Sequence, residues 1–242
     1  MRVAVIVPAF NEARSLPALA AELRAHPLRP DVCVVDDGST DGTARVAAGL
    51  GLAVVRLPFN LGIGGAVQAG YAWAAARGHD VAVQVDGDGQ HDAAFLEPLV
   101  APLRDGRADL VVGSRFLTPG GFRSTAARRT GIRYLSWFLR LRCGARVTDP
   151  TSGFRAAGRR AIELFARAYP SDYPEPEAVA LAVRAGLAVA EVPVTMRERA
   201  HGASSITALR SLYYLVKVSL ALLLLPPRDG LAAAPPRGAG AA

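Results

Sequence analysis

The sequence predicts an α/β protein: a mostly parallel sheet flanked by helices, followed by a C-terminal apolar helix. Three observations carry this. Short apolar runs alternate with helix-like segments through the first half of the chain, the pattern of βαβ units. The runs are continuously apolar rather than alternating, as expected of strands covered on both faces. Most of them are followed by Gly, Asp, Asn or Ser, at the carboxyl ends where such sheets bind ligands.

Taken in order, Arg2–Val7 is a β-branched first strand stopped by Pro8, and Glu12–Ala25 is a helix. Asp31–Val35 is a second strand and Gly42–Leu50 a helix that Ser39 or Asp41 would cap. Leu52–Leu57 is a third strand, followed by the Ala-rich helix Gly64–Arg77. Val81–Val85 and Leu110–Val112 are strands on either side of the helix Ala93–Leu103. The second half is less regular. Thr118–Ser124 reads as a loop, Ala126–Leu141 as an Arg-studded helix with Tyr134, Trp137 and Phe138, and Asp149–Arg155 as a structured segment. Gly158–Ala168 and Pro176–Ala185 are helices, Leu187–Val194 is a strand and Arg197–Ser205 a polar loop. Leu209–Leu225 is strongly apolar, and the Pro/Gly/Ala-rich tail after it reads as disordered. The division is one α/β domain over 1–207, an apolar helix over 208–226 and a tail over 227–242.

With 51% apolar residues among 242, most of the chain folds. The net charge of +7 is carried by Arg, with Lys217 the single lysine. Arg-rich surfaces suit phosphorylated ligands or anionic lipid headgroups, and heavy Ala, Gly and Arg usage also follows from a high-GC gene. Nucleic acid is set aside, because the arginines form no dense run interleaved with aromatics. Cys33 and Cys143 are far apart and form no CxxC pair, which points to a reducing, cytoplasmic setting. The N-terminus has too short an apolar run before Pro8 for a signal peptide and reads as the first strand.

The residues after the strands carry the chemistry. Pro8-Ala9-Phe10-Asn11-Glu12 follows the first, and Asp36-Asp37-Gly38-Ser39-Thr40-Asp41 the second. A helix cap needs one such residue, so the surplus of acids favours an exposed Asp pair that bonds a base edge or ribose. Asn60-Leu61-Gly62-Ile63-Gly64 only partly matches a phosphate-cradling loop and suits close packing beside a ligand. Asp86-Gly87-Asp88-Gly89-Gln90-His91-Asp92 is the strongest signal. Carboxylates at i and i+2 on extended backbone point the same way, with Gly between them leaving room for a cation. Asp oxygens suit Mg²⁺ or Mn²⁺, which completes its shell with substrate phosphates, while Gln90 and His91 are available as a further ligand or diphosphate contact. An EF-hand is excluded because His91 stands where that loop needs Gly, and a turn capped by Asp92 is the plainer alternative.

These motifs, with Gly113-Ser114-Arg115 and Asp149-Pro150-Thr151-Ser152-Gly153-Phe154-Arg155, resemble the family 2 glycosyltransferases of Rossmann-like GT-A fold. Arg199-Ala200-His201-Gly202-Ala203-Ser204 makes the chain most similar to the polyprenyl-phosphate sugar synthase branch, the dolichol-phosphate mannose synthase-like enzymes. The resemblance implies inverting transfer from a nucleoside-diphosphate sugar to a polyprenyl phosphate or other membrane-linked acceptor. It implies a donor site of Pro8, Ala9, Asn11, Glu12, Asp36, Asp37, Ser39, Gly62, Asp86 and Gly87, with a metal on Asp86, Asp88 and Gln90. Arg115, Arg128, Arg129, Ser152 and Ser204 would hold phosphate or acceptor, and Asp149, Glu175 and Arg199 would be catalytic. Pro174-Glu175-Pro176-Glu177 and Ser205 depart from the branch's usual residues and bear on the acceptor.

A hydroxyl acceptor would need a general base, for which Asp149 and Glu175 are the candidates; an anionic phosphate would not. Asp149 follows a basic segment, so an ion pair with a nearby Arg is the competing reading. A nucleotidyltransferase would carry a Gly-rich basic loop after the first strand, which Pro8–Glu12 lacks, and a silent binding subunit would have lost the Asp86/Asp88 pair. At about 1.5 Å per residue the C-terminal helix is too short for a core of about 30 Å. Tyr213, Tyr214, Arg210, Lys217 and Arg228 suit a helix lying on the inner face of the membrane or partnering a small membrane protein. Burial against the sheet is the alternative.

Overall fold

The computed structural model describes residues 1–117, 126–197 and 208–224. Among them seven strands form one sheet: β1 Val3–Ala9, β2 Asp31–Asp36, β3 Ala53–Arg56, β4 Val81–Gln84, β5 Leu110–Ser114, β6 Arg155–Gly158 and β7 Val189–Pro193. The helices are α1 Leu16–Ala25, α2 Thr43–Gly49, α3 Gly62–Ala76, α4 Leu96–Arg104, α5 Ala126–Cys143, α6 Arg159–Arg167, α7 Pro174–Arg184 and α8 Ala208–Leu224, with a 3-10 turn at Ala93–Phe95 leading into α4. The strand order is β3-β2-β1-β4-β6-β5-β7, parallel except for β6, which runs antiparallel to both neighbours.

Side chains of successive β1 residues go to opposite faces. Val3, Val5 and Val7 join Leu16, Leu19, Leu23, Leu96 and Leu99 on the face covered by α1 and α4. Ala4 and Ile6 join Val67, Tyr71 and Phe165 under α3 and α6. That second face is tight: a Cβ on Gly70 of α3 would lie 2.1 Å from Ile6 Cγ2. A third cluster, including Val112, Leu135, Phe138, Leu139, Val179, Val218 and Leu222, ties α5, α7 and α8 to the β5 side of the sheet.

Two differences from the sequence reading have physical causes. The first helix begins at Leu16, not Glu12, because Glu12 spends its N–H on Thr43 Oγ1 (2.9 Å) and Asn11 takes a left-handed φ of 59°. The short Arg-Ala-Ala-Gly strand β6 has no strand signature in the sequence, since it lacks β-branched residues; its pairing is made by neighbours on both sides, Gln84 and Val112 facing Arg155. The C-terminal helix packs on α5 and α7 through Val218 and Leu222 rather than lying flat on the sheet. Among the described residues no helix is long and apolar enough to cross a membrane. Thr118–Ser124, Arg199, Ser204 and the tail from Leu225 lie outside the described residues.

Candidate active site

The chain passes from β1 to β2 and β3 on one side, then returns to β4 on the other side of β1. Loops leaving the carboxyl ends of β1 and β4 diverge at such a switch point and open a crevice. The register sets the crevice walls: Ala9 faces Asp36 across β1 and β2, and Ile6 faces Gln84 across β1 and β4.

The β1 and β2 ends are laced together. Asn11 donates its N–H to Ser39 Oγ and accepts from Thr40 N–H, both at 2.9 Å. Asp36 Oδ1 accepts from Ser39 N–H (3.1 Å), and Asp37 Oδ1 accepts from Leu61 N–H (2.7 Å). The two acids are therefore not an exposed pair: Asp36 is 1% and Asp37 3% exposed. Buried carboxylates need such donors, and backbone N–H groups supply them. Asp41 accepts from the N–H and hydroxyl of Thr43 and from Ala13 N–H, tying the start of α2 to the β1 loop. Gly38, at φ 74°, lets the Phe59–Asn60 backbone come within 2.9 Å of where a Cβ would stand. Gly62 opens α3 at φ 79°, with its N–H on Asn60 Oδ1.

Asp86, Gly87 and Asp88 leave β4 on the other wall. A Cβ on Gly87 would be 3.3 Å from both Glu12 Cγ and Pro8 O, so the two loops touch at this point. Gln84 Nε2 donates to Asp86 Oδ1 (3.2 Å), and Gln90 N–H donates to Asp88 Oδ1 (3.0 Å). His91 is 2% exposed, stacked on Phe154 with ring centroids 4.5 Å apart, and its Nδ1 accepts the Asp86 N–H (3.0 Å). Its proton then sits on Nε2, 3.7 Å from Asp86 Oδ2. Burial lowers the His91 pKa against the pull of Asp86 and Asp88, so the ring is neutral. His91 braces the Asp86 backbone instead of offering a free ligand nitrogen. Gln90 Nε2 reaches Arg197 O (3.4 Å), and Asp92 caps the 3-10 turn through Ala94 N–H (2.9 Å).

Arg115, just beyond β5, meets Asp149 in a buried two-pronged pair. Nε–Oδ2 is 2.6 Å and Nη2–Oδ1 2.7 Å, with Asp149 0% and Arg115 5% exposed. Thr151 Oγ1 accepts from Arg115 Nη2 (2.9 Å) and donates to Asp149 Oδ1 (3.1 Å). Glu191 of β7 holds the turn from below, accepting N–H bonds from Thr148 (2.8 Å) and Asp149 (2.9 Å). Its one signal in the sequence is a lone carboxylate in an otherwise apolar strand. Ser152 is fully buried and accepts Phe154 N–H (3.3 Å), so it serves the turn and is closed to an acceptor.

Behind Asp86, Arg155 is fully buried; it donates through Nε to Ser152 O (2.6 Å) and through Nη2 to Pro150 O (3.0 Å). Its charge reaches Glu175, at the start of α7, whose pKa is raised by burial and drawn back by Arg155. A Cβ on Gly153 would be 3.1 Å from Gln84 Nε2 and 3.4 Å from Asp86 Oδ2, so this turn packs directly on the Asp86 carboxylate. Arg128 lies in the first turn of α5, where partial desolvation and repulsion from Arg115 lower its pKa, and Arg129 beside it is exposed.

The structure thus gathers Pro8, Glu12, Asp36, Asp37, Ser39, Asp86 and Gly87 around one crevice, and Arg115, Asp149 and Arg155 beyond β4. Hard oxygen donors at Asp86 and Asp88, unscreened by any side chain at 87, match what a small divalent cation needs. Among the described residues no third His, Cys, Asp or Glu joins them, so the remaining positions of such an ion are left to the Gln90 amide oxygen, phosphate and water.

Comparison with known proteins agrees with this architecture. The family model described as Glycosyl transferase family 2 matches residues 4–165. An undecaprenyl-phosphate mannosyltransferase of Micrococcus luteus is 36% identical over 86% of this chain and 88% of its own length. A polyprenol monophosphomannose synthase of Mycolicibacterium smegmatis is 34% identical over 85% of this chain and 81% of its own. Glucosyl-3-phosphoglycerate synthase of Mycobacterium tuberculosis, solved with Mn²⁺, UDP and glucosyl-3-phosphoglycerate, superposes with a TM-score of 0.68 at 25% identity, over 96% of this chain and 81% of that one. The sheet is the GT-A arrangement of these enzymes, and the chain belongs to the family 2 glycosyltransferases.

Proposed function

We propose that the chain transfers a sugar, with inversion, from a nucleoside diphosphate to a polyprenyl phosphate at the inner face of the cell membrane. The switch-point crevice supports it, setting the Asp86/Asp88 carboxylates against the Asp36–Asp37 loop on one side and the Arg115–Asp149 pair on the other. Asp86 and Asp88, with Gln90, would hold Mg²⁺ or Mn²⁺, which neutralises charge on a departing diphosphate. The chain's own residues do the rest. Asn11, Ser39 and Thr43 hold the nucleoside-side loops rigid, so their groups need no reorganisation during transfer. His91 and Gly153 keep Asp86 in place. Asp149 is committed through both oxygens to Arg115 and is buried, so it positions that guanidinium and is not placed to accept a proton. Arg128 and Arg129, in the first turn of α5, would be the cations that meet phosphate.

The commitment of Asp149 is the observation that favours a phosphate acceptor, because an anionic oxygen attacks without a base. Glu175 supports the alternative, a hydroxyl acceptor in a cell-envelope glycan: it is partly buried at the start of α7, within the fields of Arg155 and Asp86, and its raised pKa suits proton transfer. The relatives named for polyprenyl-phosphate mannosyl transfer, together with one named as a UDP-N-acetylglucosamine–dolichyl-phosphate transferase from Methanococcus voltae, support the first reading. Free Cys33 and Cys143 suit a reducing compartment.

The test is nucleoside-diphosphate release and lipid-linked sugar formation with Mn²⁺, across UDP-, GDP- and TDP-sugars, with and without polyprenyl phosphate. Transfer should require the lipid phosphate, and Asp86→Ala should lose about 10²–10³-fold or more in rate while keeping its circular dichroism. Near-wild-type turnover in Asp86→Ala would overturn the metal assignment; transfer to hydroxyl acceptors alone would overturn the acceptor.

A further inference from the structure

Arg155 is the largest fully buried side chain among the described residues. Its Nε donates to Ser152 O (2.6 Å) and its Nη2 to Pro150 O (3.0 Å), while Nη1 meets no acceptor. Among the described residues it forms no ion pair with Asp or Glu. Burial raises the pKa of Tyr71, Tyr169, Glu175 and Tyr214, and the Arg155 charge opposes the rise in each, so its field reaches across this part of the core. A guanidinium buried without a carboxylate is costly, and an apolar side chain of like volume would fill the same space at less cost. The return on that cost lies in the two bonds that Arg155 does make.

Those bonds hold the turn from Asp149 to Phe154, and the turn meets Asp86 by two routes. Gly153 packs on it directly: a Cβ there would be 3.1 Å from Gln84 Nε2 and 3.4 Å from Asp86 Oδ2. Phe154 stacks on His91, with centroids 4.5 Å apart, and His91 Nδ1 accepts the Asp86 N–H (3.0 Å). At its other end the same turn carries Asp149, whose two oxygens grip Arg115 at 2.6 and 2.7 Å. The strand adds a third link, since Arg155 faces Gln84 across β4 and β6, and Gln84 Nε2 donates to Asp86 Oδ1 (3.2 Å).

We propose that Arg155 is a positioning residue for the transfer. By clamping the carbonyls of Pro150 and Ser152 it fixes the turn that sets the Asp86 carboxylate on one side and the Arg115 guanidinium on the other. This rests on the reading of Asp86 as a metal-binding carboxylate and adds the residue that holds it in place. Fully buried, Arg155 acts through Gly153 and Phe154 on Asp86, and through Asp149 on Arg115. Groups that orient a metal-binding carboxylate in this way change metal affinity by about 10–100-fold when lost.

The test titrates the full chain with Mn²⁺ in the presence of UDP or GDP, following free Mn²⁺ by electron paramagnetic resonance, with thermal unfolding followed by circular dichroism. Gly153→Ala leaves Arg155 in place and pushes the turn off Asp86. It should keep its circular dichroism and bind Mn²⁺ about tenfold more weakly. Arg155→Met should weaken Mn²⁺ binding by about tenfold or more. Arg155→Lys should not restore it, because an ammonium cannot reproduce the planar pair of bonds to two carbonyls. In transfer assays the Mn²⁺ concentration for half-maximal rate should rise by the same factor. Wild-type Mn²⁺ affinity in Gly153→Ala would overturn the positioning role, whether or not Arg155→Met folds. So would full recovery of affinity in Arg155→Lys, since charge alone would then suffice. Equal Mn²⁺ binding by wild type and Asp86→Ala would instead overturn the metal reading beneath it.

Discussion

Arg115 and Asp149 are adjacent in space and 34 residues apart in sequence, and their pairing decides what each can do. Two charges leave water together here, so the pair is held by geometry rather than by net attraction, and removing one partner strands the other. Arg115→Ala should cost about 3–5 kcal/mol in denaturant unfolding. Arg115→Lys should recover part of that but not the transfer rate, because an ammonium cannot make the parallel Nε and Nη2 bonds. Stability and activity that recover together in the Lys variant would sink the positioning role. The carboxylate pair at 86 and 88 stands out in the sequence as a candidate metal motif because its information is local, two acids spaced by one glycine. The burial of Asp36 and Asp37 was not legible, since the Leu61 amide that meets Asp37 arrives from the loop before α3, 24 residues on, and only the Ser39 amide on Asp36 is local.

At the scale of elements, β1 to β5 and the helices between them follow from apolar runs and punctuation, and the structure shifts their ends by a few residues. β6 leaves no such signal because tertiary pairing, not propensity, makes it a strand. Helix α3 closes on the sheet through Gly70, and Gly70→Ala should destabilise by about 1–3 kcal/mol, since Ile6 has no room to retreat. Thermal unfolding at neutral pH measures it, and an unchanged midpoint would refute the packing. The α7–α8 junction adds a pH dependence. Burial, with the charge of Asp172, raises the Glu177 pKa from 4.5 to about 7, against the pull of Lys217, which pairs with Asp172. A folded pKa above the unfolded one stabilises below the unfolded value, and that stability fades as pH rises through about 7. Glu177→Gln should therefore flatten the decline in melting temperature between about pH 5 and 8. An equally steep decline in the variant would remove Glu177 as its source.

For the molecule as a whole, the two cysteines report on integrity. Cys33 is fully buried in β2, and burial pushes its thiol up to about 12, so it should be inert to alkylation until the sheet opens. Cys143, partly buried at the end of α5, has its pKa raised by burial and should react slowly, and sooner than Cys33. Mass spectrometry of alkylated protein across a denaturant series should show Cys33 labelling only within the unfolding transition. Labelling of Cys33 in native buffer would contradict a closed sheet.

The amino-acid order alone determined the α/β class, the alternation of strands and helices, and the motifs after β1, β2 and β4. Each of these is written in contiguous residues, through apolar periodicity or close spacing. Only the tertiary structure decided which acids remain available for a ligand, how Asp149 is engaged, where β6 enters the sheet, and that α5 and α8 lie side by side. Those depend on donors, partners and neighbours supplied by segments distant in sequence, and pairings of that kind leave no local trace.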